Sequence, residues 1–134
     1  EQGNGALYLF IQDSIEWLDH AKGAIANFHI VFMIQLSFHL GFMPNIESGM
    51  SGDYFDLVDG CFAAHVPSHV HYLNKEDSMR LVSLFRLDYK TMHLYTMSRM
   101  ERNRCVEVIL EYYKLHLPDF PEMKSFSVLQ ELFA

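Results

Sequence analysis

Cys61, His65, His69 and His71 place one thiol and three imidazoles within eleven residues, in the run CFAAHVPSHVH. Thiolate sulfur and imidazole nitrogen are the ligands of tetrahedral zinc, so this run is the first to weigh as a metal site. His69 and His71 fall on one face if the segment is extended, which favours shared coordination. The spacing argues the other way. Zinc motifs usually join two tight ligand pairs from separate parts of a chain, whereas these four lie in one run stiffened by Pro67. The reading taken is exposed loop histidines with no metal and no other cofactor. A small structural zinc protein using Cys61, His65, His69 and His71 is the alternative.

A second group is cationic. Residues 80–104 carry Arg80, Arg86, Lys90, Arg99, Arg102 and Arg104 against Asp88 and Glu101, a local balance of +4 within a chain of net charge −7. The acidic total argues against broad nucleic-acid binding by this chain alone, because phosphate neutralisation drives that affinity. The local surplus permits one basic patch for one acidic partner. Arg99 and Arg102 share a helix face, and guanidinium grips carboxylate through paired hydrogen bonds, so a patch beside an apolar groove suits an acidic, hydrophobic peptide. The competing reading locks these arginines against Glu101, Asp88 or Glu107, or scatters them over solvated faces.

Catalysis has no visible candidates. His93 with Ser98 or Cys105 makes no nucleophile motif, and there is no glycine-rich phosphate loop. Asp53, Asp56 and Asp59 lack the calcium-loop pattern. Phe10, Trp17, Tyr112 and Tyr113 lie in strongly apolar helical stretches, so they read as core residues rather than platforms for nucleobases.

The elements that must position these residues are mostly helical. Leu7, Ile11, Ile15 and Leu18 predict an amphipathic helix over about residues 6–21. Phe28, Phe32, Leu36 and Leu40 predict a deeply buried one, closed by Gly41 and Pro44. Its apolar run is too short for a membrane span. Residues 45–74 are rich in turn formers, and Asp59-Gly60 between two short aromatic-containing runs predicts a hairpin that must lean on the helices. Asn74 caps the next helix, whose apolar stripe is read as Met79, Val82 and Phe85. A shorter element covers about 88–95. Ser98-Arg-Met-Glu101 is a capping box opening a helix over about 99–116, with Cys105, Val106, Ile109, Leu110, Tyr113 and Leu117 as its apolar face and Pro118 as its stop. A last helix starts at Ser125 and carries Val128, Leu129, Leu132 and Phe133.

With 134 residues, half of them hydrophobic, the chain is expected to form one domain with a real core. The expected fold class is mainly α, a helical bundle with an inserted β-hairpin, organised as N-terminal helices over 6–44, an insertion over 45–74 and C-terminal helices over 75–134. Glu1 in place of an initiator methionine suggests a fragment or processed product, with no secretory signal. Two cysteines make no disulfide framework, Cys105 reads as a buried small hydrophobe, and a reducing, cytoplasmic setting fits.

Three stretches carry a resemblance: Leu40-Gly-Phe-Met-Pro-Asn45 closing an apolar helix, the Tyr54-Phe-Asp-Leu-Val-Asp-Gly60 hairpin, and the Ser98–Pro118 helix followed by Lys124-Ser-Phe-Ser-Val-Leu-Gln-Glu-Leu-Phe133. In this order they resemble the C-terminal region of the recombination mediator RecO, closest to Bacteroidetes-type members, over about residues 5–134. The resemblance implies a non-enzymatic, nucleoid-associated protein of DNA repair and homologous recombination in the RecF pathway. An OB-fold domain, absent from this chain, would precede the helical one. It implies DNA, single-stranded-DNA-binding protein and RecR as partners, with strand annealing and recombinase loading as the task. In some members the acidic tail of single-stranded-DNA-binding protein docks on the helical region, which suits the six cations. Many members also carry a four-cysteine zinc site around the hairpin. Residues 45–52 contain no cysteine and Cys61 stands alone, so the implied module is degenerate, with packing of Tyr54, Phe55, Leu57 and Phe62 expected to replace the ion.

Overall fold

The computed structural model describes residues 2–47 and 53–117. Four helices carry it: α1 (Gln2–Asp19), α2 (Phe28–Leu40), α3 (Lys75–Phe85) and α4 (Arg99–His116). Three short strands lie between α2 and α3: β1 (Tyr54–Asp56), β2 (Cys61–Ala63) and β3 (Tyr72–Leu73). The architecture is mainly α with an inserted β region, as the periodicity and the turn residues predict.

Helix α2 is the axis of the bundle because it is apolar on nearly every side. Phe28, Ile30, Val31, Met33, Ile34 and Leu36 are all buried, with α1 and α4 packed against it. It ends where expected, at Gly41, whose φ of +92° is left-handed. Gly41 and Phe42 both return their N–H groups to Ser37 O, at 3.1 and 3.0 Å, a closure that glycine makes without steric cost. Across the core, the Tyr113 hydroxyl donates to Met33 O at 2.5 Å from a fully buried ring. Met97, Cys105, Val106 and Ile109 complete this cluster, so Cys105 and Tyr113 are core residues as expected.

α1 lays Leu7, Phe10 and Trp17 inward. Phe10 stacks on Phe32, and Trp17 stacks on Phe28 and Tyr89. The Tyr89 hydroxyl donates to Ser14 Oγ at 2.8 Å, which satisfies the buried serine of α1. The helix stops at Asp19, before Gly23 and Ala24, both with positive φ. α4 runs over the predicted residues. Ser98 Oγ accepts from Glu101 N–H at 3.1 Å and Glu101 Oε1 accepts from Ser98 N–H at 2.9 Å, so the capping box is complete. Pro118, the helix expected from Ser125, and the turn formers Ser48, Gly49, Ser51 and Gly52 lie outside the described residues.

The predicted hairpin is present as β1 paired with β2, Phe55 opposite Phe62. Gly60 sits in its turn at φ +72°. Asp56 Oδ1 accepts from the N–H groups of Val58 and Asp59, tightening the same turn. A third strand, β3, pairs with the free edge of β1 and gives the order β2-β1-β3. Two residues are too few for a periodic signal; β3 forms because pairing with Phe55 buries Leu73. The sheet leans on the helices through Phe55, Leu57 and Leu73, packed on Leu81, Val108 and Tyr112. Tyr54 does not join that cluster and instead stands edge-on to Tyr72. The element expected over 88–95 is a short 3-10 turn, Met92–Leu94, preceded by Asp88 capping Lys90 and Thr91.

The stripe read for α3 differs. Its inward face is Ser78, Leu81 and Leu84, while Met79 is 64% exposed. Ser78 turns inward because its hydroxyl accepts from Phe55 N–H at 3.0 Å and donates to Leu73 O at 3.2 Å, which tie the sheet to the helix. A serine that serves strand backbone is invisible to an apolar count, so the register shifts by one residue.

Candidate docking surface

The histidine run meets carboxylates rather than converging on a point. His71 N–H donates to His69 Nδ1 at 3.0 Å, so His69 must carry its proton on Nε2, which lies 2.9 Å from Asp56 Oδ1. His71 Nδ1 lies 2.9 Å from Glu111 Oε2 and links the loop to α4. His65 is exposed, and the Cys61 thiol is unbonded to another cysteine. Among the described residues, no three His, Cys, Asp or Glu side chains are grouped to hold a metal. The run therefore holds the loop before β3 against β1 and α4.

The six cations fall into two sets. Arg104 pairs with Asp77 at 3.1 Å and Glu107 at 3.6 Å, and Arg80 reaches Glu101 at 3.4 Å. Arg102 Nη1 donates to Met97 O at 2.9 Å, bracing the start of α4. Arg80 and Arg104 thus join α3 to α4, while Arg102 is engaged by the segment that leads into α4. Arg86, Lys90 and Arg99 are exposed and enter no ion pair with the other described residues. Arg99 and Arg102, expected as a matched exposed pair, thus differ: the first enters no ion pair with the other described residues and the second is held by backbone.

Two depressions adjoin the cations. One is a shallow cleft between α3 and α4, floored by Leu81, Leu84, Cys105 and Val108 and walled by Arg80 and Arg104 with their acidic partner Asp77. The other is an open groove between β2 and the outer face of α3. Phe62, Met79 and Val82 form its floor, and Lys75 and Arg86 lie along its length, with Asp53 also on its wall. Lys75, Met79, Val82 and Arg86 follow one another at helical spacing, so one stripe of α3 supplies a cation, two apolar side chains and a second cation. Lys75 also enters no ion pair with the other described residues. Charge counting over 80–104 misses Lys75, and Phe62 joins the stripe only through the fold of the sheet. The spacing of Lys75 and Arg86 around Met79 and Val82, one exposed and one half-buried, was the available signal.

Comparison with known proteins agrees with this architecture. Residues 1–125 match the family described as "Recombination protein O C terminal". The chain belongs to the RecO family. It is 46% identical over its whole length to "DNA repair protein RecO" of Phocaeicola vulgatus, covering 56% of that protein. It is 48% identical over 99% of its length to the RecO of Bacteroides fragilis, covering 55% of it. A RecO of Porphyromonas gingivalis is 34% identical over 95% of the chain. The chain thus spans little more than half the length of these relatives. No solved structure matches it significantly. Among the described residues, no helix is long and apolar enough to cross a membrane.

Proposed function

We propose that this RecO-family chain is a non-enzymatic docking part of a recombination mediator, and that its ligand is the acidic tail of single-stranded-DNA-binding protein. The observation that carries the reading is the groove between β2 and α3. An acidic segment ending in a hydrophobic residue needs apolar floor for that residue and unneutralised cations for its carboxylates. Phe62, Met79 and Val82 offer the first, and Lys75 and Arg86 the second. Lys90 and Arg99 add exposed positive charge. Arg80 and Arg104 are partly neutralised by Asp77, Glu101 and Glu107, so they serve the partner through the helix joint they hold. Arg102 does so from the start of α4. In the longer protein this docking supports strand annealing and recombinase loading together with RecR, with DNA gripped chiefly by the part of RecO this chain does not span.

The test is fluorescence anisotropy with a labelled acidic peptide ending in a hydrophobic residue, at low ionic strength. Reversing a charge that faces the peptide costs on the order of 1–2 kcal/mol, so Arg86→Glu and Lys75→Glu should each weaken binding about tenfold. Raising the salt should weaken the unaltered chain, because exposed charges are screened. The same affinity for Arg86→Glu, Lys75→Glu and the unaltered chain would remove this groove as the docking site.

A further inference from the structure

The two cations of the groove between β2 and α3 stand at the ends of one helical stripe. Lys75 and Arg86 are eleven residues apart. Helical rise therefore separates their Cα atoms by about 16 Å. Met79, exposed, and Val82, half-buried, fill the interval, and Phe62 of β2 shares the floor with them. The groove also carries one carboxylate, Asp53, which pairs with neither cation. β1 meets α3 between the two cations, where Ser78 Oγ accepts from Phe55 N–H at 3.0 Å, and Asp53 stands two residues ahead of that contact. Positive charge thus lies at the ends of the groove, apolar surface between them and a negative charge on the wall.

We propose that this groove selects an extended peptide by the spacing of its carboxylates: acidic residues at i and i+4, an apolar residue at i+2, and no acidic residue between. The inference rests on the groove being the docking surface and names the pattern that surface accepts. In an extended chain i, i+2 and i+4 project to one side, and i to i+4 covers about 13 Å. The long, flexible side chains of Lys75 and Arg86 close the remaining distance of about 3 Å. The residue at i+2 then lies over Met79 and Val82, where apolar area is removed from water. A carboxylate placed between the cations meets apolar floor and Asp53 instead, so it loses water without gaining a partner and is repelled by a like charge. A helical ligand suits the groove poorly. Setting two carboxylates that far apart on a helix takes three turns of a rod about 10–12 Å across. The groove holds about 340 Å³. That is the scale of a small-ligand pocket, enough for the side chains of a few residues.

The test is an NMR titration of the 134-residue chain with two peptides of one composition. One is spaced, Ser-Glu-Thr-Leu-Thr-Glu-Ser, and the other clustered, Ser-Thr-Leu-Glu-Glu-Thr-Ser. Both are acetylated and amidated, so that their ends carry no charge. The spaced peptide should bind at least fivefold more tightly and should shift the amide signals of Phe62 and Val82. Lys75→Ala and Arg86→Ala should each reduce that preference below twofold, because either leaves one end of the groove without a cation. Asp53→Asn should also narrow it, by raising the affinity of the clustered peptide. Lys75, Arg86 and Asp53 are exposed, so these variants keep the fold. Equal affinities, with both peptides shifting Phe62 and Val82, would overturn the spacing rule while leaving the groove as a docking surface. If neither peptide shifts those signals, the docking surface and the spacing rule fall together.

Discussion

His29 is a basic side chain buried in the most apolar helix of the fold, 3% exposed. Burial, and next the positive charge of Arg102, lower its pKa from 6.5 to about 4. The folded state therefore refuses a proton that the unfolded chain accepts, and stability falls as the pH drops from 6.5 towards 4. The loss reaches about 3 kcal/mol as the pH comes down to the folded value. Urea midpoints for His29→Gln should flatten over that window relative to the unaltered chain; parallel curves would mean the imidazole is not the sensor. Tyr113 is the other buried residue that a single atom tests. Tyr113→Phe leaves Met33 O without the hydroxyl it accepts from, a loss of about 1–2 kcal/mol in chemical denaturation. Arg104, paired with both Asp77 and Glu107, is half-exposed, so Arg104→Ala should change stability by less than about 1 kcal/mol.

Among the elements, α4 is legible because every local signal agrees: a capping box, an unbroken apolar face and a stop. Ser98→Ala removes the oxygen that accepts from Glu101 N–H and should cost about 1 kcal/mol, read as a lower thermal midpoint. The hairpin depends on Gly60. A Cβ there would sit 3.2 Å from the Tyr112 hydroxyl, at a backbone angle of +72° that side chains avoid. Gly60→Ala should therefore destabilise the chain by roughly 1–3 kcal/mol. Because Tyr112 is itself held to Phe42 O, the change should loosen the segment after α2 as well, seen as faster amide exchange near Asn45, whose N–H donates to Gly60 O. The stripe of α3 was less legible. Met79 and Val82 sit at core-like spacing, and only the demand of Phe55 N–H and Leu73 O for a hydroxyl turned Ser78 inward.

Over the whole molecule, acidic charge predominates, yet exposed cations remain at Lys75, Arg86, Lys90 and Arg99. Of these, Lys75 and Arg86 line the groove proposed for an acidic segment, while the net negative charge disfavours broad phosphate binding by this chain. The histidine loop has a comparable role for the insertion: His69 on Asp56 and His71 on Glu111 join the sheet to α4 from the outside, as Phe55, Leu57 and Leu73 do from within. Replacing Asp56 by alanine should release Val58, Asp59 and His69 together, so its cost should exceed that of His69→Ala in the same denaturation experiment.

Composition and periodicity determined the helical class, the bounds of α4, the caps at Gly41, Asn74 and Ser98, and the hairpin turn, because each rests on interactions within a few residues. The same sequence, in the order of three stretches, carried the RecO resemblance. Tertiary structure decided which cations are engaged and which are free, since Arg104 meets Asp77 only when α3 and α4 are packed together. It also brought Phe62 beside Met79 and added β3 to the sheet. Contacts between residues distant in the chain follow from how elements are oriented in space, and spacing along a sequence does not contain that orientation.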